Sequence, residues 1–313
     1  MPTAAICGAG DAAPANCFDA VVIGAGPAGL ACALNLVRGH ARVLLVDANR
    51  PRHSATLISH GFITRDGASP LELRQLGREE FLTYPSASYL MAEVTAVQRG
   101  ADAGFELSLR TVRGAEVKTV SAKIVVVATG LAEQLPEITN LRAYYGTALH
   151  SCVICDGYEK TNKPLVIIPH PEIEREAVLQ AETLVRRFSP RVTVLNADSV
   201  SEIIGERAQM HGVRLHTGEV VAASAGFVLP KSSLNIKFLA PLGATETAFK
   251  GLGLSDPHAA HPGLTRISGL YAVGEAATGK PEQLLVAAGS GAALVPHLLL
   301  TLSEKVNQEP RKA

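Results

Sequence analysis

The chain has 313 residues, 47% hydrophobic and 19% charged, with 29 Lys plus Arg against 29 Asp plus Glu. That length suits two α/β domains better than one small core, and the composition is that of a folded enzyme rather than a disordered or fibrous chain. Balanced charge argues against nucleic acid or an acidic membrane as partner, five cysteines do not make a secreted disulfide scaffold, and no stretch reads as long and apolar enough to span a bilayer.

Residues 1–17 read as a flexible Gly/Ala/Pro-rich leader flanked by Cys7 and Cys17. It has neither a basic start nor an apolar signal core, so a cytoplasmic location is expected. Phe18–Ile23 is an apolar run ending in Gly24-Ala-Gly26-Pro27-Ala28-Gly29. Leu30–Arg38 has helical character, with Cys32 on its buried side and Gly39 as a stop. Arg42–Val46 is a second apolar run, closed by Asp47. Strand, glycine turn, helix and strand within one short unit give Gly-x-Gly-x-x-Gly its meaning. Gly24 permits the tight turn, Gly26 lets backbone approach a pyrophosphate, and Gly29 lets the helix lie close to the strand. The helix N-terminus faces the phosphates, and Asp47 is placed to accept from a ribose hydroxyl. An adenine dinucleotide is the expected ligand.

Ser69-Pro70 opens a helical stretch through Leu71, Leu73, Leu76 and Phe81. Leu90–Gln98 and Phe105–Thr111 read as strands, and Lys123–Ala128 as a buried strand ending at Thr129-Gly130. Cys152-Val-Ile-Cys155-Asp156 follows, a Cys-x-x-Cys spacing that lets two sulfurs bridge and marks a redox couple. A zinc site would need further ligands, and there is no second Cys-x-x-Cys, so no metal is expected.

Pro164–Ile168, a helix with Ile173, Ala177, Val178, Ala181, Leu184, Val185 and Phe188 on one face, and Val192–Leu195 repeat the strand–turn–helix–strand order. Their turn is Pro169-His170-Pro171-Glu172, and Tyr158–Ile204 contains no glycine. Two prolines remove donors, while Glu172 and Glu174 put negative charge where a phosphate would sit. No arginine follows Val192–Leu195 to meet a 2′-phosphate, and Arg186, Arg187 and Arg191 read as a solvated face. Nicotinamide dinucleotide binding is therefore predicted to be lost. Gly269–Gly274-Glu275, then Gln283 and a helix Leu284–Leu300, close the pattern. The boundaries read as a leader (1–17), a discontinuous dinucleotide domain (18–147 and 226–305), an inserted domain carrying the cysteines (148–225) and a tail (306–313).

In this order, Gly24–Gly29, Ala128-Thr-Gly130, Cys152–Gly157 and Gly274-Glu275 resemble the low-molecular-weight thioredoxin reductase family. Cys155-Asp-Gly-Tyr-Glu159 and the glycine-free turn are closer to its dithiol oxidase branch, which closes disulfides in gliotoxin, holomycin and romidepsin. The resemblance implies an α/β, two-domain Rossmann-like flavoprotein: an FAD domain with a smaller, degenerate NADPH-type domain inserted, assembled as a homodimer. It implies FAD contacts at Gly24, Gly26, Pro27, Ala28, Gly29, Asp47, Arg52, His60, Val94, Ala128, Thr129, Gly130, Gly274, Glu275, Gln283 and Leu284. The chain departs from the family at Glu275, where Asp is usual, and at Arg52-His53, where Arg-Asn is frequent. The resemblance also implies that Cys155 lies nearest flavin C4a while Cys152 exchanges with substrate, a small-molecule dithiol, with O2 as electron acceptor and H2O2 as product. His150 and Asp156 are the candidate bases: a histidine titrates near neutrality, and the family places a carboxylate after the second cysteine. Glu159 is expected to cap or position the loop. The alternative is a thioredoxin reductase-like enzyme fed by ferredoxin or another donor in place of NADPH.

Overall fold

The computed structural model describes residues 16–100, 104–112, 117–206, 209–244, 254, 256 and 261–308, the side chains of 53, 54 and 305–308 excepted. Cys7, most of the predicted leader and the end of the tail lie outside the described residues. In chain order the first stretch is β1 (Cys17–Ile23), α1 (Pro27–Arg38), β2 (Val43–Asp47), α2 (Pro70–Leu82), β3 (Ala87–Arg99), β4 (Phe105–Thr111) and β5 (Val117–Val127). The middle comprises β6 (Leu131–Gln134), α3 (Leu141–Tyr144), β7 (Leu149–His150), α4 (Val153–Asp156), β8 (Leu165–Pro169), α5 (Arg175–Val185), β9 (Val192–Val194), β10 (Val200–Glu206), β11 (Gln209–Leu215), β12 (Val220–Ala222), β13 (Ala225–Leu229) and β14 (Lys231–Leu234). The chain closes with β15 (Leu270–Ala272), α6 (Glu275–Thr278) and α7 (Leu284–Gln308).

Two compact units result. The first takes the described residues up to Pro51, Glu72–Leu131 and those from Ser233 onward. The second takes Arg52–Leu71 and Ala132–Ser232. The inserted unit is thus longer than the cysteine-bearing segment read as 148–225, because β6 and β14, where the chain crosses, pair with each other. Residues 52–71 join it through partners distant in sequence, such as Glu133 for Arg52 and Glu159 for His60, which sequence periodicity does not register.

In the first unit β5, β1, β2 and the first half of β3 are parallel, with Val22 level with Leu45 and with Val126, and β15 adds to β5. The far half of β3 turns antiparallel onto β4, which pairs antiparallel with the start of β5. Parallel strands covered on both faces need apolar side chains on both. Val21, Ile23, Leu44, Val46, Val125 and Val127 accordingly enter one core, while Ala20, Val22, Val43, Leu45, Ile124 and Val126 enter another with Leu30, Cys32, Ala33 and Leu36 of α1. Cys17 is the first residue of β1 and is buried, so it belongs to the sheet and not to a leader. Burial pushes the Cys32 thiol up to about 12, an inert core thiol as expected.

Within α7, Leu284–Glu304 corrects a second expectation: 21 residues of mean hydropathy 1.7 are long and apolar enough to cross a bilayer. Gly289, Ser290, Pro296 and His297 interrupt the run to the eye without removing its apolar character. In this fold Ala287, Leu294, Val295, Leu298 and Leu302 pack into the core that α1 shares.

The second unit holds a parallel sheet in the order β7-β13-β8-β9, plus an antiparallel sheet β10-β11-β12 not anticipated from sequence. Of the apolar face predicted for α5, Ala181 and Val185 are buried, whereas Ala177 and Leu184 are exposed.

Two glycines of α7 test the packing of this helix. A Cβ at Gly291 would meet the Ala28 carbonyl oxygen at 2.0 Å, while one at Gly289 meets nothing within 4 Å. By chemical denaturation, Gly289→Ala should gain about 0.5–1 kcal/mol from helix propensity and Gly291→Ala should lose about 1–3 kcal/mol from overpacking. Equal gains from both would contradict the close approach of α7 to α1.

Candidate active site

The glycine turn lies between β1 and α1. Gly24 has φ +109°, and a Cβ there would meet the Ala128 carbonyl oxygen at 2.4 Å; at Gly29 it would meet the Gly24 oxygen at 1.9 Å. At Gly26 it would meet nothing within 4 Å, so the turn is open on that side. Pro27 starts α1 and no side chain caps it, which leaves its first-turn N–H groups to an anion. Ala28 is buried against this turn.

Asp47 ends β2 as predicted, but its carboxylate is engaged. Arg74 donates from Nη2 to Oδ2 at 2.7 Å, and the Asn49 N–H donates to Oδ1 at 3.0 Å. Arg74 also donates to the Ala25 carbonyl at 3.3 Å and to Asn49 Oδ1 at 3.1 Å, tying α2 to the turn. A carboxylate has about four acceptor sites, so Asp47 keeps capacity for a ribose hydroxyl. Sequence reading placed Arg74 only within a helix and gave it no role.

Elsewhere in this unit, the Ala128 N–H donates to the Ile23 carbonyl. The Thr129 hydroxyl is buried and, among the described residues, lacks a hydrogen-bond partner. Gly130 and Gly274 have positive φ, and Glu275 Oε2 lies 3.4 Å from where a Gly130 Cβ would sit. Glu275 Oε1 accepts the Glu282 N–H at 2.8 Å, and Glu282 keeps one buried carboxylate oxygen without a partner. Gln283 and Leu284, half-buried, lead into α7. The open anion turn, the orphaned Thr129 hydroxyl and the glycine cradle fit FAD. Val94 is different: its side chain is buried in the core, so only backbone is available there.

Arg52 and His60 fall in the other unit. Arg52 pairs with Glu133 at 2.8 Å, and Glu133 accepts from the Tyr145 hydroxyl at 2.7 Å. Tyr145 in turn hydrogen-bonds Ser151, next to Cys152. Burial, then Glu133, pushes the Tyr145 phenol up. His60 lies 3.5 Å from Glu159 and 3.7 Å from Asp66. The structure therefore places both residues in the unit that carries the dithiol, because the 52–71 segment packs with it.

Cys152 and Cys155 form a disulfide. Cys152 caps α4, its Sγ accepting from the Cys155 N–H at 3.1 Å. Behind it lie three buried ionisable groups. His150 Nε2 is 3.4 Å from Asp156 Oδ1, and Lys160 Nζ is 2.9 Å from His150 Nδ1 and donates to the Asp156 carbonyl at 3.2 Å. Lys160 also stands 5.3 Å from the Phe227 ring centroid, within cation–π range.

Burial raises the Asp156 carboxyl to about 6 against the opposing pull of Lys160. Burial and the Lys160 charge lower His150 to about 3. Burial also lowers Lys160 to about 8, with Asp156 opposing. His150 therefore does not titrate near neutrality as the sequence suggested; it is a neutral ring between a cation and a carboxylate. Lys160 was missed because nothing in Glu159-Lys160-Thr161 signals that this lysine turns inward.

The second strand–turn–helix, β8 to α5, is closed by its own contacts. The His170 N–H donates to the Leu229 carbonyl, the Ile173 N–H to the His170 carbonyl, and the Glu172 N–H to His170 Nδ1 at 3.2 Å. Lys231 binds Glu172 at 2.6 Å and holds its carboxyl below the usual range. Glu174 stands at the N-cap of α5 and Glu176 in its first turn. After β9, Asn196 accepts from the Asp198 N–H, Arg186 pairs with Glu182, and Arg191 donates to the Asn162 carbonyl.

A glycine-turn dinucleotide unit and an inserted unit with a Cys-x-x-Cys disulfide define a flavin-linked disulfide oxidoreductase. The chain belongs to the pyridine nucleotide-disulphide oxidoreductase family, whose model matches residues 18–228, and FAD is its cofactor. A probable thioredoxin reductase of Arthroderma benhamiae is 32% identical over 171 residues, which is 55% of this chain and 42% of that relative. The chain spans about half the length of curated relatives it matches in this way. Among solved structures, a putative thioredoxin reductase TrxB from Bacillus anthracis aligns with TM-score 0.81 and 29% identity over 92% of this chain and 99% of that one. HlmI aligns with TM-score 0.77 and 30% identity over 92% of this chain and 94% of that one. In sequence and fold the chain is similar to thioredoxin reductases.

The state of His150 is open to direct measurement. A histidine lowered to about 3 binds no proton in the folded protein between that value and its ordinary value of 6.5, while the unfolded chain does. Its contribution to stability is present above that window and is lost as pH falls through it. Asp156, raised from 3.8 to about 6, acts with opposite sign over its own window. In ring-nitrogen NMR, His150 should show no protonation between about pH 8 and pH 5, where an unperturbed histidine would titrate. A midpoint inside that range would contradict the burial of this cluster.

Proposed function

We propose that this protein is an FAD-dependent dithiol oxidase that closes a disulfide in a small-molecule dithiol, with O2 as the final acceptor. The observation that carries the reading is the contrast between its two strand–turn–helix units. The turn before α1 is open to a pyrophosphate, while the turn before α5 pairs the His170, Glu172 and Ile173 N–H groups within its own unit and carries carboxylates. With that turn closed to a nicotinamide dinucleotide, a dithiol is the electron source this reading assigns to FAD. The resemblance of Cys155-Asp-Gly-Tyr-Glu159 to the natural-product dithiol oxidases supports the same direction.

In the proposed cycle one substrate thiol loses its proton to the Asp156 carboxylate, and its thiolate attacks Cys152 Sγ. The Cys152–Cys155 bond breaks and Cys155 leaves as a thiolate. The second substrate thiol, once deprotonated, attacks the substrate sulfur of the mixed disulfide; Cys152 leaves and the substrate disulfide forms. Two electrons then reside on the cysteine pair. FAD, when bound, supplies the two-electron acceptor that re-forms the protein disulfide and is itself reoxidised by O2. The net change is dithiol plus O2 to disulfide plus H2O2. Thiolates, not thiols, exchange, so a carboxyl near 6 beside the pair suits a proton acceptor at neutral pH. By the same resemblance, a homodimer is the proposed assembly.

The test is anaerobic mixing of the FAD-loaded protein with a dithiol, with NADPH, or with reduced ferredoxin, followed by air. The expected result is flavin bleaching by the dithiol alone, then colour recovery with one H2O2 per dithiol oxidised. Rapid bleaching by NADPH or by ferredoxin, with the dithiol inert, would favour the reductase alternative and contradict this reading.

A further inference from the structure

We propose that Lys160 is a positioning residue for exchange at the Cys152–Cys155 pair: its ammonium fixes the His150 ring as the Nε2–H tautomer that faces Asp156, and so orients the carboxylate that receives the proton of an incoming thiol. The inference rests on the reading of Asp156 as proton acceptor given above.

Lys160 is only 4% exposed. A buried ammonium is costly unless partnered, and this one has three partners on different elements: His150 at the end of β7, the Asp156 carbonyl at the end of α4, and the Phe227 ring on β13. An ammonium has donors and no acceptor, so its 2.9 Å contact requires His150 Nδ1 to carry a lone pair. The ring proton is then on Nε2, the atom 3.4 Å from Asp156 Oδ1. The lysine is brought there by a single tight turn: its N–H bonds the Gly157 carbonyl, and residues Tyr158–Lys160 make one 3-10 turn after α4. One residue thus anchors the histidine, the backbone of the carboxylate residue and the floor of the sheet.

The charged and titratable groups acting on this cluster are His60 from the 52–71 segment and Glu159 and Lys163 from the turn that carries Lys160. At neutral pH the cluster holds an ammonium, a neutral ring and a carboxylate. Removing the ammonium takes away the nearby positive charge that favours ionised Asp156, so the carboxyl moves further up. It also removes the like charge that opposes His150 protonation. The first change lowers the fraction of base available near pH 7, where burial still keeps His150 neutral.

The experiment measures anaerobic flavin reduction by dithiothreitol against pH for the FAD-loaded protein and its Lys160→Met and Lys160→Arg variants. For Lys160→Met the acid limb should move to higher pH by about one unit, with the maximal reduction rate down about two-fold at pH 7 and approaching ten-fold on the acid side of the limb, and half-saturation unchanged. Lys160→Arg should restore most of the limb. A folded Lys160→Met protein with an unmoved limb overturns the role of Lys160 alone. No reduction of the unaltered protein by dithiothreitol overturns the parent reading. The nitrogen shifts of His150 in the unaltered protein give a separate answer: an unprotonated Nδ1 supports the proposal, and an Nδ1–H tautomer overturns it even where Lys160→Met does not fold.

Discussion

A backbone N–H that already has an acceptor cannot hold a phosphate, and this constraint decides what each half of the molecule can do. Both units contain the same local sequence of events, a parallel strand, a turn and a helix. Before α1 the turn is made of residues without side chains in the way, and the first turn of the helix has no side-chain cap. Before α5 the turn is folded on itself around the buried His170, whose backbone and ring take up the neighbouring N–H groups. Glu172, tied to Lys231, and Glu174 then place carboxylates where the helix dipole would favour an anion of another molecule. The same topology is kept, but the second turn is not open to a phosphate as the first is.

The inserted unit keeps its chemistry at the other end of its sheet. The disulfide caps a four-residue helix, and the groups behind it are buried together. Each member of that cluster shifts another: burial pushes the Asp156 carboxyl up and the Lys160 amine down, while Lys160 and burial keep His150 neutral. Such a set can accept a proton at neutral pH without leaving an unpartnered charge inside the protein. In the proposed function, the pairing of thiol exchange with a closed nicotinamide turn sends electrons from sulfur toward flavin.

Much of this was readable before any coordinates. Glycine spacing and alternating apolar runs follow directly from backbone sterics and two-sided burial, so β1, α1, β2 and β4 were found within a few residues, as was the disulfide pair. What escaped was decided by contacts distant in sequence. Arg74 is one position among many on α2 until Asp47 and Ala25 are brought to it, and Lys160 looks like a surface lysine until Phe227 and His150 surround it. The membership of Arg52 and His60 in the inserted unit was not legible for the same reason, since their partners Glu133 and Glu159 lie about a hundred residues further on. The sheet β10-β11-β12 was missed because its short strands have only partial alternation, with Val200, Ile203, Met210 and Val213 buried and many of the other positions half-buried.

The account stands most directly on the closed turn before α5. Calorimetric titration of the oxidised, FAD-loaded protein with NADPH and with NADH measures that closure without reference to turnover. The account predicts no saturable binding of either nucleotide at concentrations up to about 1 mM. A stoichiometric complex with micromolar affinity, lost on mutation of the β8–α5 turn, would contradict it.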